Sequence, residues 1–364
     1  MTRRPPPKYG VARPPPDSVC IVRLSAIGDV VLTTPLAMAL RRAWPSTHIT
    51  WVAHPVPARL LEECPGVDET LVFERRSGRA ALEEYRRFRR DLRGRRFDLL
   101  ICPQRALKAG ILTSLIPASV KLGYDARRSS DLHIFFTTHA IPRSPRQHKV
   151  DETLEFARAI GVEVSDPEWG LCVSREERSQ ALAGLPRATR PLCGVVVGTT
   201  NPAKNWPAER WAPVVDALAA EHGFQVVLLG GPSESERRIA NDILRLSATS
   251  PIEALARDPR HLMALLANCG LVVSPDTGPL HIAVALGVPV VGLYGRTNPA
   301  LHGPRGPSAS FVVDGFARTP DEEYGNLDRY RSDGMARITP EMVIGQVRRL
   351  LDTGSAGHRP PQQR

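Results

Sequence analysis

Aromatic residues are scarce in this chain: nine Phe, six Tyr and five Trp make up 5% of 364 residues. With few rings to stack on bases and no recognisable binding module, nucleic acid is not an expected partner, despite a net charge of +10. Long apolar runs are missing too. No stretch approaches the roughly 20 residues of a membrane span. The Pro-rich, basic start (1–16) has no apolar centre and is no secretory signal. Cys20, Cys64, Cys102, Cys172, Cys193 and Cys269 are scattered without metal-type spacing and read as reduced, buried thiols of a cytosolic protein. No aspartate pair has metal-holding spacing, so no metal site and no cofactor is expected, although Mg2+ could stimulate through a free diphosphate. The first strand-to-helix turn carries one glycine, Gly28, where a dinucleotide site needs G-x-G-x-x-G, which argues against NAD or FAD.

What is present is regular. Short β-type runs alternate with helical patterns, the signature of a parallel α/β sheet. In the first half strands are expected at 19–24, 49–53, 69–73 and 97–102, with 120–123 and 134–138 as further candidates. Helices are expected at 29–43, 58–63, 80–92, 106–115 and 150–160. The pattern weakens from 163 to 192, among Pro167, Pro186 and Pro191, then restarts. Strands at 193–197, 225–229, 271–274 and 288–293 alternate with helices at 208–221, 233–246, 261–268 and 280–286, and a last helix covers 340–351. The expected organisation is a disordered leader (1–17), an α/β domain (18–165), a linker region (166–191), a second α/β domain (192–353) and a disordered tail (354–364). Length and composition suit two ordinary soluble domains.

The positive charge is concentrated. Between Arg75 and Arg96 ten arginines face only Glu83, Glu84 and Asp91. The segment reads as an amphipathic helix whose basic face is either simply solvated or attracted to an anionic surface.

Four turns carry chemistry. In Arg23-Leu24-Ser25-Ala26-Ile27-Gly28-Asp29, Gly28 leaves room for a ligand. Asp29 reads either as a helix cap or as a general base kept ionised by the helix N-terminus. The loop 198–207 carries Thr199, Thr200 and Lys204, suited to a diphosphate leaving group or equally to a solvated loop. Trp206 reads as packing. Glu234 and Glu236 follow Gly230-Gly231-Pro232, where an acid can either hold ribose hydroxyls or complement a helix start. The richest turn is 274–281, where Asp276, Thr277, Gly278 and His281 follow an apolar strand and open a helix, a place to hold a sugar nucleotide.

Taken together, the Gly28-Asp29 turn, the Thr199–Lys204 loop with Trp206-Pro207, the Asp276-Thr277-Gly278 turn with His281, and the strand 288–295 make the chain resemble glycosyltransferase family 9, the ADP-heptose:lipopolysaccharide heptosyltransferases. The likeness spans roughly residues 19 to 305. The resemblance implies a GT-B architecture, two Rossmann-like parallel α/β domains facing an interdomain cleft. It implies inverting transfer of heptose from ADP-heptose to the lipid A-Kdo inner core of lipopolysaccharide. On that likeness Asp29 falls on the family's catalytic base, and Thr199, Thr200 and Lys204 fall on its phosphate contacts, Lys204 counting also as catalytic. Asp276, Thr277, Gly278 and His281 fall on its donor-binding turn, with Glu236 the candidate ribose acid. Gly28, Gln104, Lys108 and Arg127 fall on the acceptor side. Arg105 stands where many members carry glycine. The implied partners are ADP-heptose and an anionic glycolipid met at the cytoplasmic face of the inner membrane by a peripheral, monomeric enzyme. A transferase or epimerase using a UDP- or GDP-sugar, or a non-catalytic sugar-nucleotide-binding protein of envelope assembly, are the alternatives.

Overall fold

A computed structural model of the chain describes residues 5–8, 14–129, 133–164, 166–309, 311–319 and 330–354. Part of the expected leader and the tail from 355 lie outside the described residues. The chain divides into two units, Met1–Cys172 and Val173–Arg364.

The first unit runs β1 (Ser18–Val22), α1 (Ile27–Val31), α2 (Thr34–Ala43), β2 (His48–Ala53), α3 (Pro55–Leu60), β3 (Glu69–Val72) and α4 (Gly78–Asp91). It continues with β4 (Phe97–Ile101), α5 (Leu107–Leu115), β5 (Ala118–Gly123), β6 (His139–Ala140) and α6 (Lys149–Ala159). Among the described residues its strands form one six-stranded parallel sheet in the order β3-β2-β1-β4-β5-β6. The register sets Ile21 of β1 beside Trp51 on β2 and Ile101 on β4.

Both faces of β1 are covered, as a parallel sheet requires. Val19 and Ile21 pack with Trp51, Leu36, Leu40 and Phe156 on one side. Cys20 and Val22 pack with Phe88, Leu92 and Leu112 on the other. The alternation of side chains along a strand thus becomes two apolar layers.

The second unit runs α7 (Arg175–Ala183), β7 (Leu192–Val196), α8 (Ala208–Ala220), β8 (Gln225–Leu229), α9 (Glu234–Leu246), β9 (Ile252–Glu253) and α10 (Pro259–Ala267). Then follow β10 (Leu271–Pro275), α11 (Gly278–Ala285), β11 (Val290–Tyr294), α12 (Pro299–His302), β12 (Val312–Asp314), α13 (Gly334–Arg337) and α14 (Pro340–Asp352). Its strands also form a six-stranded parallel sheet among the described residues, in the order β12-β11-β10-β7-β8-β9. Read from β7, this is the same plan as the first unit: the chain moves outward, then returns past its first strand and builds the other way. Such sheets have a switch point at the carboxyl ends of the two strands where the direction reverses, and ligands bind there. The switch points are β1/β4 and β7/β10.

Several expectations are corrected. The helix over 29–43 is two helices, because Pro35 has no N–H to continue the ladder and Thr33 Oγ1 donates to the Asp29 carbonyl at 2.7 Å. The strand over 134–138 is a 3-10 turn, His133–Phe136, with β6 just beyond it. The linker region 166–191 holds α7, opened by a capping box in which Ser174 and Glu177 satisfy each other's backbone N–H groups. Helix α7 is tied to α10 by Arg260, which donates to Glu177 from Nε at 2.7 Å and from Nη2.

One close approach positions a site loop. A Cβ on Gly334 would lie 1.8 Å from the Gly295 carbonyl oxygen. Only two glycines let these backbones touch, and the contact fixes the path of the chain leaving β11.

Candidate active site

At the first switch point, Asp29 is the third residue of α1. Its Oδ2 accepts from the Ala26 backbone N–H at 3.2 Å, which is the capping role the sequence allows. Its Oδ1 lies 2.8 Å from Arg23 Nη2, and the carboxylate remains 35% exposed. Asp29 therefore caps the helix and still meets solvent, as a general base must. Arg23 leaves the end of β1 and also donates to the Pro103 carbonyl, so the guanidinium is fixed between the two strand ends and orients the carboxylate.

Gln104 joins the same two ends, its Oε1 accepting from the Leu24 N–H at 2.8 Å. Gly28, half-buried, sits beside Asp29 on α1. Lys108 lies exposed in the first turn of α5, and Arg127 is exposed in the turn after β5. The neighbouring Arg128 is the buried one, donating to Asp125, Glu155 and the Pro142 carbonyl.

Sequence reasoning missed a cluster beside this turn. Glu152 of α6, with its side chain 1% exposed, holds Arg105 Nη2 at 3.0 Å and Lys149 Nζ at 2.9 Å. The Arg105 guanidinium lies 4.7 Å from the centre of the Tyr124 ring. Burial pushes the Lys149 ammonium down while Glu152 opposes that shift, and Lys149 also feels the Asp29 charge. One buried carboxylate under two cations leaves a net positive patch near Asp29. The signal is faint: Lys149 stands just before an expected helix, and Arg105 marks only a departure from glycine.

At the second switch point, Lys204 reaches from the loop after β7 to the turn after β10. Its Nζ donates to Asp276 Oδ2 at 2.6 Å and to the Asp276 carbonyl at 3.0 Å. His281 Nε2 lies 3.3 Å from Asp276 Oδ1. Thr297 Oγ1, in the loop held by Gly295 and Gly334, donates to Asp276 Oδ2 at 2.5 Å. Burial by itself would raise the Asp276 carboxyl. The hydrogen bond from His281 and the Lys204 charge outweigh it and hold the group far below the usual carboxylate range.

Asp276 is thus a buried anchor that aims an ammonium at the start of α11. There Thr277 and Gly278 open the helix: Pro279 has no N–H and the Leu280 N–H donates to the Thr277 carbonyl at 3.1 Å, so the backbone N–H groups of Thr277 and Gly278 are the ones left at the helix start. An ammonium and a helix N-terminus side by side form an anion site.

The remaining donor-side residues are placed as follows. Thr199 is buried, and its hydroxyl and N–H are engaged inside the loop, by the Asn201 carbonyl at 2.7 Å and Asn205 Oδ1 at 2.8 Å. Thr200 is exposed. Trp206 is buried as expected, its ring edge-on to Trp211 at 4.9 Å. Glu236 is also buried. It accepts from the Gly231 N–H at 2.9 Å and from Ser233 Oγ at 2.6 Å, closing the turn after β8, while Glu234 is exposed. Thr297 lies beyond the turn 274–281 that carries the sequence signal, although a hydroxyl just past the end of β11 is itself a usable sign. Among the described residues no group of three or more His, Cys, Asp or Glu converges as metal ligands.

Residues 85–329 match the model of glycosyltransferase family 9 (heptosyltransferase). The chain belongs to glycosyltransferase family 9. The transferase is 30% identical to the lipopolysaccharide core heptosyltransferase OpsX of Haemophilus influenzae over 348 residues, 92% of this chain and 97% of that protein. Its structure resembles that of a family 9 glycosyl transferase from Veillonella parvula, with a TM-score of 0.77 and 27% identity over 93% of this chain and 97% of the other. E. coli heptosyltransferase WaaC, solved with ADP, shares the fold at a TM-score of 0.73 and 24% identity, over 91% of this chain and 99% of that one. The fold is accordingly GT-B, built from two Rossmann-like units, and the transferase is an enzyme of glycosyl transfer.

Proposed function

We propose that this transferase moves a heptosyl unit from ADP-heptose to the inner core of lipopolysaccharide, with inversion. The observation that carries the reading is the Lys204–Asp276 pair, which sets an ammonium at the N-terminus of α11 where a diphosphate would be held. The names of the similar proteins supply the sugar and the acceptor.

In this mechanism Asp29 takes the proton from an acceptor hydroxyl. The freed oxygen attacks the anomeric carbon from the face opposite the diphosphate, and the bond to ADP breaks. Negative charge growing on the departing diphosphate is met by Lys204 and by the backbone N–H groups of Thr277 and Gly278 at the start of α11. The charge is assigned to these groups and not to a protein-held metal. The patch of Arg105 and Lys149 beside Asp29 suits an acidic acceptor. Among the described residues no helix is long and apolar enough to cross a membrane. The proposal has the enzyme working as a peripheral monomer at the cytoplasmic face of the inner membrane, where it would meet its lipopolysaccharide acceptor.

The test is thermal unfolding with ADP, UDP, GDP and NAD at equal concentration. A ligand that binds the native state adds RT ln(1 + [L]/Kd), about 2.7 kcal/mol at 100 times its Kd. Stabilisation by ADP, with little from the others, is the expected result. A shift with UDP or GDP alone would overturn the donor assignment and leave the fold untouched.

A further inference from the structure

Helix α4 carries most of the arginine run, and its inner face is fixed. Phe88 is buried against Phe73, ring centres 5.4 Å apart, and Tyr85 meets the same ring at 5.1 Å. Buried Glu84 accepts from the Glu74 backbone N–H at 2.7 Å and from Arg87 Nε at 2.8 Å. These contacts turn the opposite face outward.

That outer face carries Arg79, Leu82, Arg86, Arg89, Arg90 and, just past the helix, Arg93. Spacings of three and four residues bring them onto one side. The five arginines have no side-chain ion pair or hydrogen bond among the described residues. Acids nearby are already engaged: Glu69 by Arg95, Glu74 by Arg76, and Asp91 by Arg87. Only Glu83 shares the face without such a partner. In the middle stands Leu82, 53% exposed. Beside the helix end lies a groove of about 730 Å³, rimmed by Arg86, Arg89, Arg90 and Arg93 with Leu92, Leu115 and Pro117 as apolar lining.

We propose that this face of α4, with its groove, docks the protein on an anionic phospholipid surface. Guanidinium groups with a bare leucine and an apolar floor match phosphate heads above hydrocarbon, since arginine stems lie along apolar surface while their heads stay wet. The same face is unsuited to bases, because the helix's only rings, Tyr85 and Phe88, pack on its inner side against Phe73. The inference rests on the peripheral placement proposed above and names the surface that makes it; vesicle binding and the ADP-induced shift test the two separately.

The full chain would be sedimented with phosphatidylcholine vesicles with and without phosphatidylglycerol. Binding is expected only to the anionic vesicles, weakening as salt rises. Each basic side chain near such a surface contributes about fivefold (about 1 kcal/mol), so R86Q/R89Q/R90Q should lose on the order of 100-fold. A charge-matched control on the second unit, R238Q/R245Q/R348Q, should bind nearly as well as the parent. Leu82→Ser should lose a few-fold.

Equal losses in the two triple variants would reduce the effect to net charge and overturn the proposal. So would absent binding to anionic vesicles, displacement by millimolar inorganic phosphate, or tighter binding to duplex DNA than to vesicles. The ADP-induced shift, measured on every variant, reports folding and the donor site separately.

Discussion

Asp29→Asn is expected to lower kcat by roughly 10²- to 10⁴-fold, the usual contribution of a positioned general base. The side chain is a base candidate by geometry: it stands in the first turn of α1, which follows β1 at the switch point, with its carboxylate partly open to solvent. The amide keeps an acceptor for the Ala26 N–H, so the cap survives and the fold should be intact. On the proposed reading ADP is held by the other unit, so its binding should be unchanged. Single-turnover rates with saturating donor would check this. Near-normal turnover in folded D29N would remove Asp29 from the chemistry and leave it a helix cap.

Asp276→Ala is expected to destabilise the second unit by about 3–5 kcal/mol, because it strands the Lys204 ammonium with no counter-charge in a largely closed site. For a unit of this size that corresponds to a fall in Tm of about 10 °C. The stabilisation by ADP should vanish with it.

The pH dependence has a definite sign. The folded-state carboxyl of Asp276 is held below its unfolded value of about 3.9, so its contribution is complete above that pH. It is lost as pH falls from there toward the depressed folded value. The gap in stability between the parent and D276A should therefore narrow on acidification below about pH 4. A gap that stayed constant through that range, or an unchanged Tm at neutral pH, would contradict the buried-anchor assignment.

Much of this was legible in the sequence, for physical reasons that particular residues show. The strand 19–24 could be read because Val19 to Val22 of β1 are buried on both faces and so are apolar without a break. The turn at 276–281 could be read because an acid, a hydroxyl and a glycine at a strand end have few other uses. What could not be read was pairing across distance. Nothing near Glu152 announces that it will hold Arg105, 47 residues earlier. Nor does Lys204 announce that its partner is Asp276, 72 residues on. The Lys204–Asp276 pair follows from the switch-point topology, which sets the turns after β7 and β10 side by side, and the Arg105–Glu152 pair from the packing of α6 back onto the sheet that holds β4.

The break at Thr33 and the capping box at Ser174 were different. Both were written locally, in Pro35 and in the Ser174–Glu177 spacing, and were hidden by neighbouring prolines or by an apolar run continuing across them.

The scattered cysteines have a use that has nothing to do with the reaction. All six are free thiols, and Cys172 is the one that is partly exposed. Burial pushes the Cys64 thiol up to about 11 and the Cys269 thiol up to about 12, so neither reacts while the chain around it is closed. Cys20, Cys64 and Cys102 lie in the first unit, and Cys193 and Cys269 in the second. Each half thus carries its own built-in clock for opening. Under a thiol reagent, mass spectrometry of the labelled peptides should show ADP slowing modification at Cys193 and Cys269 while leaving Cys20 and Cys102 to open at their own pace.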